Sequence, residues 1–352
     1  MKTDLIDIGA DTPGQANVLR VLRFEGSGSG PKVYIQAGLH AQEFPGFVAI
    51  DQLIPKLLAA ELQGQLASNI IVVPHAKPIG LGQALYSVNL GRFDMNSRTN
   101  FNRSFPKPQQ PPSAFAAKSV VENLKATLLD LAIQADIVLD LHCDDEGPVY
   151  LYAPVHMVEK ARLLSAALQA KVILTYASQG ASTFDEAVCA SWRDGEDGLT
   201  RQKFVSTVEL RGMLDVSREF GEKDATSLFA YLISIGAISG QTPTFEANEP
   251  VVGDESLAEL IPTPHAGAVL YHVEVSEPVK AGQWVASIIT EAGMPHHKIL
   301  APADGIVVTR RERRFLRKGE DVIKILKVAA PPRTRPLAPN EPDPQYGDGT
   351  EA

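Results

Sequence analysis

Apolar runs of five to eight residues alternate with longer amphipathic stretches through the first two thirds of the chain. The apolar runs predict strands over residues 32–39, 69–73, 136–141, 171–176 and 204–210. Apolar residues at helical spacing predict helices within residues 114–135, 158–170 and 226–238. Strands that are apolar on both faces and separated by helices are typical of parallel sheets covered by helices. The pattern therefore predicts an α/β fold with a mixed, mostly parallel sheet.

A further helical pattern follows the first predicted strand. Ile50, Leu53 and Leu57 recur at the spacing of a helix face. Pro55 lies inside this pattern and has no backbone N–H to donate, so we expect the helix to be kinked or divided there.

The hydrophobic pattern changes after about residue 240. A stretch rich in Pro, Gly and acidic residues predicts a domain boundary, and residues 261–328 contain only short alternating runs separated by glycines. We predict an α/β domain over residues 1–242 and a small all-β barrel or sandwich over residues 243–329. The Pro-rich tail over residues 330–352 is expected to be disordered.

Composition narrows the class of protein. The chain has 352 residues, a formal net charge of −9 and two cysteines. The negative charge disfavours nucleic-acid binding, and two cysteines cannot form a disulfide framework. No apolar stretch reaches the roughly 20 residues of a membrane helix, and the N-terminus has no signal pattern. We expect a soluble cytoplasmic protein that binds neither nucleic acid nor membranes. The sequence does not specify an oligomeric state, and a homo-oligomer is the expectation from how commonly proteins assemble.

One dense basic run interrupts this acidic chain, at residues 310–318. We expect a solvated hairpin face there. The alternative is that the run overhangs a cleft and attracts an anionic substrate.

Histidine is scarce, with eight in the chain. His40 and Glu43 lie three residues apart in a glycine-containing turn directly after a predicted strand. The spacing alone is weak evidence, because His156 and Glu159 share it at a predicted helix start, where an acidic residue interacts with the helix dipole. His142 distinguishes the first pair, since it ends another predicted strand and the carboxyl ends of parallel strands meet at one edge of a sheet. Two imidazoles and one carboxylate leave the fourth position of Zn²⁺ free for water, which is the ligand count of a catalytic zinc site.

Two carboxylates are expected to support this site. Asp140 is the best candidate to orient the imidazole of His142. Glu209 ends an otherwise apolar strand, where a carboxylate is unfavourable unless it has a function, and we expect it to be the general base for a zinc-activated water. The alternative for Glu209 is an exposed edge position or a pair with Arg211.

The loop over residues 91–106 concentrates Arg92, Arg98, Asn102 and Arg103. A guanidinium can bind a carboxylate at two points, and a second guanidinium beside a metal can polarise a carbonyl group. The alternative is an ordinary solvated loop.

Several motifs together resemble the succinylglutamate desuccinylase and aspartoacylase family of the zinc carboxypeptidase superfamily. They are Gly38-x-His40-x-x-Glu43, Arg92, Asn102-Arg103-Ser104-Phe105-Pro106, Asp140-Leu141-His142 and Glu209. The resemblance covers nearly all of residues 1–330 and implies a zinc-carboxypeptidase-like fold. The last domain resembles biotinyl and lipoyl carrier domains in the phrases GQWVASI, KILAPADGIV and RKGEDVIKI.

The resemblance also assigns roles to residues. It implies that His40, Glu43 and His142 bind one zinc ion per chain and that Glu209 is the general base. It implies that Asn102 and Arg103 bind the substrate α-carboxylate. In the family a further arginine polarises the substrate carbonyl group. Arg92 fits this role because an aromatic residue follows it, whereas Arg98 lies closer in sequence to Asn102 and Arg103. We favour Arg92.

The implied activity is that of a zinc-dependent amidohydrolase acting on a small N-acyl amino acid of the succinyl or acetyl type. Residues 143–146 and 183–185 are expected to line the acyl pocket, and their acidic groups are also compatible with a cationic leaving group such as a diamino acid. Two alternatives remain: a zinc carboxypeptidase acting on short peptides, and a non-catalytic metabolite-binding member of the same fold.

Overall fold

Strands and helices alternate up to residue 254, and strands predominate beyond it. A computed structural model describes residues 1–106, 119–177, 183–193 and 203–328. Its strands are β1 (Lys2–Gly9), β2 (Asn17–Phe24), β3 (Val33–Ala37), β4 (Ile70–Val73), β5 (Ala84–Leu85), β6 (Val88–Asn89), β7 (Ile137–Asp144), β8 (Val149–Pro154), β9 (Val172–Tyr176), β10 (Phe204–Gly212), β11 (Val251–Asp254), β12 (Ala258–Pro262), β13 (Gly267–Tyr271), β14 (Pro278–Val279), β15 (Trp284–Ile289), β16 (His297–Leu300), β17 (Gly305–Arg310), β18 (Phe315–Leu316) and β19 (Asp321–Lys327). Its helices are α1 (Pro45–Leu62), α2 (Pro78–Leu81), α3 (Val120–Ile133), α4 (Val158–Leu168), α5 (Phe184–Arg193) and α6 (Arg218–Ser234).

Nine of these strands form one mixed sheet in the order β1-β2-β4-β3-β7-β10-β8-β9-β11. Five neighbouring pairs are parallel and three are antiparallel. The central strands β3, β7 and β10 are buried along most of their length, as strands covered by helices must be. The five predicted strands are β3, β4, β7, β9 and β10, and the expected α/β fold with a mostly parallel sheet is confirmed.

Helix α1 continues through Pro55 for 18 residues, so the expected division is wrong, and the expected kink stays a prediction. Pro55 and Asp51 are both exposed, whereas Ile50 and Leu53 on the opposite face are buried. The carbonyl of Asp51, which loses its hydrogen bond to the missing N–H, therefore faces water and can be solvated.

The other predicted helices lie close to where the pattern places them. Helix α4 matches its prediction, and α3 lies within residues 114–135, of which residues 114–118 are outside the described part of the chain. Helix α6 begins eight residues earlier than predicted, because the side chain of Ser217 caps it by accepting from the N–H of Phe220.

The residues beyond 257 form two four-stranded antiparallel sheets, β12-β19-β17-β14 and β16-β15-β13-β18. One apolar cluster with residues from both sheets, including Val285 and Ile323, fills the space between them, so this region is a β-sandwich. Strand β11 lies in the segment expected to open the β-domain, yet it pairs with β9 in the large sheet. The boundary at residue 242 remains a prediction, and the tail over residues 330–352 lies outside the described residues.

The β-sandwich packs against strands β8 and β9 of the large sheet and against the turn between β7 and β8. Val308 and Leu326 join one apolar cluster with Tyr150, Val172 and Leu174. Glu146, just after β7, forms an isolated antiparallel bridge with Arg310 through two backbone hydrogen bonds of 3.0 and 2.9 Å. None of the described helices has the length and apolar composition needed to cross a membrane.

Candidate active site

A cavity of about 1070 Å³ lies at the carboxyl ends of β3, β7 and β10, beneath the β-sandwich. Its lining includes nearly all of the predicted site residues: His40, Glu43, Arg92, Asn102, Arg103, His142 and Glu209. Arg98 is not part of this lining. Its backbone N–H donates to the carbonyl of Asp94 within the loop, so the structure does not bring Arg98 to the site.

His40, Glu43 and His142 converge at the bottom of the cavity. Nδ1 of His40 lies 2.9 Å from Oε1 of Glu43, and Nδ1 of His142 lies 2.8 Å from Oε2 of the same carboxylate. One ligand atom from each of the three lies within 4.8 Å of the others, and all three residues are buried. Within the described part of the chain this is the one cluster of His, Cys, Asp and Glu suited to a metal ion. The pair His156 and Glu159 is no part of it.

Local backbone geometry sets up this convergence. Gly38 follows β3 with φ +73°, where a Cβ would also overlap the ring of Phe47, so a glycine is required. The N–H of Glu43 donates to the carbonyl of His40 at 3.1 Å, which places both side chains on the inner side of one turn. Helix α1 begins two residues later and fixes the turn against the sheet.

The outer nitrogens of both rings are held by oxygen acceptors. Nε2 of His142 lies 2.9 Å from Oδ2 of Asp140, as expected, and Nε2 of His40 lies 3.1 Å from Oδ1 of Asn100. With each Nε2 protonated toward its acceptor, each Nδ1 directs a lone pair at the carboxylate of Glu43. Lone pairs and a carboxylate repel unless a positive charge lies between them, so this donor set fits a zinc ion.

The electrostatics of the cluster agree with that fit. Burial by itself raises the pKa of Glu43, but the neighbouring rings of His40 and His142 hold this pKa well below its usual value. Burial lowers the pKa of His142, and the carboxylates of Asp140 and Glu43 outweigh it, so that this pKa is well above its usual value. The pocket therefore favours a positive charge at its centre.

Glu209 lies beside the cluster on the neighbouring strand. In the parallel pairing of β10 with β7, Glu209 is directly opposite His142. Its Oε2 is buried and has no hydrogen-bond partner among the residues that the structure describes. Burial raises the pKa of Glu209 to about 8, while His142 acts in the opposite direction. A carboxyl group with this pKa, on the wall of the cavity, has the properties of a general base or acid.

Arg92 reaches the same cluster from the loop. Its Nη1 lies 3.3 Å from Oε1 of Glu43 and 3.5 Å from Nδ1 of His40. The side chain is 43% exposed, toward a cavity that it helps to line. A guanidinium in this position can donate to an oxygen that accumulates negative charge beside the cluster.

Asn102 and Arg103 lie further up the wall. Oδ1 of Asn102 accepts a hydrogen bond from the N–H of Phe184 at 2.8 Å, so the NH₂ group of the same amide is the part that can donate to a ligand. Nη1 of Arg103 donates to the carbonyl of Asn102 at 2.6 Å, and the side chain is otherwise exposed. The loop is fastened from below by Lys125 of α3, whose Nζ donates to the carbonyls of Asn100 and Arg103.

The basic run at residues 310–318 divides between the two expectations: Arg314, Arg317 and Lys318 are exposed and outside the cavity lining, as on a solvated face. Arg310, Arg311 and Arg313 line the cavity, as the alternative predicts. Much of this positive charge is neutralised by ion pairs within the protein, because Arg311 pairs with Asp145, and both Arg310 and Arg314 pair with Glu146. The acidic residues after His142 bind the β-sandwich and are not free to bind a ligand.

Other residues expected in the acyl pocket are divided. The lining includes Cys143, Asp144, Asp145, Thr183 and Asp185, and it omits Glu146 and Phe184.

Three functional contacts have no clear signal in the sequence. Asn100 holds the ring of a candidate metal ligand, His40. Lys125 holds the loop over residues 91–106, and Lys324 holds the end of β7. Asn100 lies in the polar loop already singled out, but Lys125 looks like an ordinary helix residue. Lys324 is more than 100 residues away in sequence from the cavity residues of the α/β region, so no local pattern links it to them.

Comparison with known proteins gives a consistent picture. Residues 29–233 match the model of the succinylglutamate desuccinylase/aspartoacylase catalytic domain. The N-alpha-acetyl-L-2,4-diaminobutyric acid deacetylase of Halomonas elongata is 22% identical over 318 residues, which are 86% of this chain and 83% of that protein.

Solved structures share the fold over almost the whole chain. A succinylglutamate desuccinylase/aspartoacylase from Shewanella frigidimarina has a TM-score of 0.80 at 24% identity, covering 93% of this chain and 97% of its own. The product-bound ectoine utilization protein EutE from Ruegeria pomeroyi has a TM-score of 0.71 at 18% identity, covering 93% and 95%. The family model spans more than half of the chain. The protein therefore belongs to the succinylglutamate desuccinylase/aspartoacylase family.

Proposed function

We propose that the protein is a zinc-dependent deacylase that hydrolyses the amide of a small N-acyl amino acid. The observation that carries this proposal is the pairing of Glu209 with His142 across β10 and β7, which puts a carboxyl group with a raised pKa beside a buried His-Glu-His cluster. His40, Glu43 and His142 would hold one zinc ion per chain. The family match and the overall sheet support a zinc-carboxypeptidase-like core.

The chain's own groups divide the remaining work. When bound, zinc supplies a Lewis acid that polarises the substrate carbonyl and increases the acidity of water. Arg92 donates to the carbonyl oxygen as it gains negative charge. Glu209 accepts a proton from the attacking water and delivers it to the leaving nitrogen, so that a C–O bond forms and the C–N bond breaks. The products are a carboxylic acid and a free amino acid, whose α-carboxylate Asn102 and Arg103 bind.

Acidic residues near Asn102 and Arg103 favour a substrate whose amino-acid side chain is cationic. Asp185, Glu186 and Glu255 line the cavity on the side of Arg103. Burial raises the pKa of Glu255, and Asp185 and Glu186 raise it further, so a substrate ammonium group would relieve repulsion there. The named activity of the Halomonas elongata relative is on an N-acetylated diamino acid, which agrees with this preference.

A substrate panel tests the proposal. N-acetyl-2,4-diaminobutyrate, N-acetylaspartate, N-succinylglutamate and unmodified dipeptides are incubated with the zinc-loaded protein, and release of free amino acid is measured. We expect hydrolysis of N-acyl amino acids, with the diamino acid preferred. Turnover of dipeptides alone would support a carboxypeptidase instead, and absence of all turnover with stoichiometric zinc would support a binding protein.

Glu209→Gln tests the proposed base. We expect this variant to keep its zinc and lose about 100- to 10,000-fold in kcat, because the amide cannot accept the proton. His142→Ala should lose both zinc and activity. Glu222→Gln, the same substitution on the exposed part of α6, is the matched control and should behave as the wild type. Near-normal turnover of Glu209→Gln would remove the proposed base.

A further inference from the structure

A lysine of the β-sandwich reaches the end of the strand that carries His142. Nζ of Lys324, in β19, lies 2.8 Å from Oδ2 of Asp144 and 3.2 Å from the hydroxyl oxygen of Tyr150. The Tyr150 hydroxyl donates to the same Oδ2 at 2.7 Å, so the three groups form a closed triangle. The side chain of Lys324 is only 12% exposed, and it lines the cavity together with Glu209.

We propose that Lys324 is a positioning residue of the active site: by holding Asp144, it fixes the end of β7 and thereby the spacing between His142 and Glu209. The proposal rests on the deacylase function proposed above. Lys324 lies outside residues 29–233, the part of the chain that matches the catalytic-domain model.

The pairing of β7 with β10 explains why Asp144 matters. Glu209 is opposite His142 and Gly212 is opposite Asp144, so β10 advances three residues where β7 advances two. This irregularity is a β-bulge, and Arg211 within it has a φ of +63°. Bulges re-aim neighbouring side chains, and here the bulge begins directly after Glu209. Asp144 and Gly212 form the one pair of these two strands beyond the bulge, so a shift of Asp144 changes the bulge.

The surroundings of Asp144 make Lys324 difficult to replace. Tyr150 is fully buried, and the carboxylate of Asp144 is 23% exposed. Removal of the ammonium group leaves a mostly enclosed carboxylate without its charge partner, which favours a shift of the strand end toward solvent. The pairs of Arg311 with Asp145 and Arg314 with Glu146 lie further along the chain, and both arginine side chains are more exposed than that of Lys324, so we expect neither pair to substitute for Lys324 at the strand itself.

Steady-state kinetics distinguish positioning from direct contact with substrate. We expect Lys324→Met to reduce kcat about 10- to 100-fold, because displacement of the reacting groups by a fraction of an ångström is enough. KM should stay within about twofold, since Lys324 does not contact substrate in this proposal. Lys327→Met is the matched control: Lys327 is in the same strand and pairs with Glu259 at 2.7 Å, outside the cavity lining. It should retain wild-type kcat and KM.

A double-variant cycle tests whether the effect passes through Asp144. If Lys324 acts by holding Asp144, the Lys324→Met and Asp144→Asn double variant should lose no more kcat than the more affected single variant. Independent effects, which multiply in the double variant, would overturn the proposal. So would a Lys324→Met variant with an unchanged kcat, or one whose KM alone rises, since the latter indicates direct contact with substrate.

Hydrogen exchange gives a readout that does not depend on activity. In Lys324→Met, amide exchange in the peptide covering residues 140–147 should be at least about tenfold faster than in the wild type and in Lys327→Met. If the wild type fails to hydrolyse any N-acyl amino acid, the proposed function is wrong, and this measurement still decides whether Lys324 holds the strand end. If Lys324→Met does not fold, Asp144→Asn, which keeps the shape of the side chain, tests the same link. Unchanged exchange in the variant that folds would overturn the proposal.

Discussion

The two histidines of the cluster differ in the group behind each ring. His142 has the carboxylate of Asp140 at its Nε2, and Nε2 of Gln36 donates to the other oxygen of Asp140 at 2.9 Å, which fixes the carboxylate. His40 has the neutral amide of Asn100 instead. A carboxylate behind an imidazole makes it more basic than an amide does, so His142 should be the stronger metal ligand of the two.

Asp140→Asn tests this difference. We expect the affinity for zinc to fall about 10- to 100-fold, as measured by competition with a chelator, because the amide keeps the shape but removes the charge. Asp136→Asn is the control, since Asp136 lies just before the same strand and its carboxylate accepts only a backbone N–H, from Lys32 at 2.8 Å, among the contacts described. Equal affinities of Asp140→Asn and the wild type would show that the charge of Asp140 does not tune the ligand.

At the scale of elements, the arginine- and asparagine-rich loop depends on helix α3. Lys125 of α3 is 2% exposed, and its ammonium group donates to carbonyls of the loop. Burial lowers the pKa of Lys125 from 10.5 to about 8. The folded protein therefore binds this proton less tightly than the unfolded chain does, which makes the free energy of unfolding rise with pH between these two values.

A pH series of urea unfolding checks this prediction. The unfolding free energy of the wild type minus that of Lys125→Met should be larger at about pH 9.5 than at about pH 7.5, because the penalty for a buried ammonium is relieved as it loses its proton. Lys318→Met, at an exposed position, should show no such change in its difference from the wild type. A difference that is flat or falls with pH for Lys125→Met would contradict the lowered pKa.

The sequence predicts those elements whose buried residues follow one simple hydrophobic pattern along the chain. β3, β7 and β10 are buried on both faces and stand out as continuous apolar runs. β1 is mostly exposed at a sheet edge and carries charges such as Asp4 and Asp7, so its sequence looks like a polar segment. β8 has strong strand formers, but its insertion between β10 and β9 depends on long-range pairing that no local pattern contains.

The same distinction applies to the site. His40, Glu43, His142 and Glu209 are predictable because each follows or ends a recognisable strand, and parallel strands bring such ends together. Contacts from another layer, such as Lys125 from below and Lys324 from above, depend on how helices and the β-sandwich pack. Packing of that kind is specified by shape and burial, which the sequence does not display residue by residue.

For the whole molecule, the cavity depends on the contact between two regions with separate cores. The β-sandwich has its own apolar cluster, and a third cluster joins Val308 and Leu326 to Tyr150. Ion pairs and the backbone bridge between Glu146 and Arg310 add polar contacts across the same interface. We expect the two regions to unfold together because neither can lose this interface without exposing apolar surface.

The two tryptophans make this coupling measurable, since Trp192 is in the α/β region and Trp284 is in the β-sandwich. Leu316 is fully buried within the cluster of the β-sandwich, and Leu316→Ala should cost about 2 to 5 kcal/mol. In a Trp284→Phe background, we expect this distant substitution to lower the urea midpoint reported by the fluorescence of Trp192. A Trp192 transition that does not move would show that the α/β region unfolds independently.

The spread of the cavity residues along the chain also sets an order of assembly during synthesis. The three candidate ligands lie within the first 142 residues, whereas Glu209 and Lys324 are made later. A nascent chain emerges from the ribosome amino end first, so the ion-binding groups are available well before the proposed base, and the last wall of the cavity arrives at the end of translation. Because β10 lies beside β7 in the sheet and the two regions are expected to unfold together, we expect a stable site only once the β-sandwich has been made, so an incomplete chain would be unable to hydrolyse an amide.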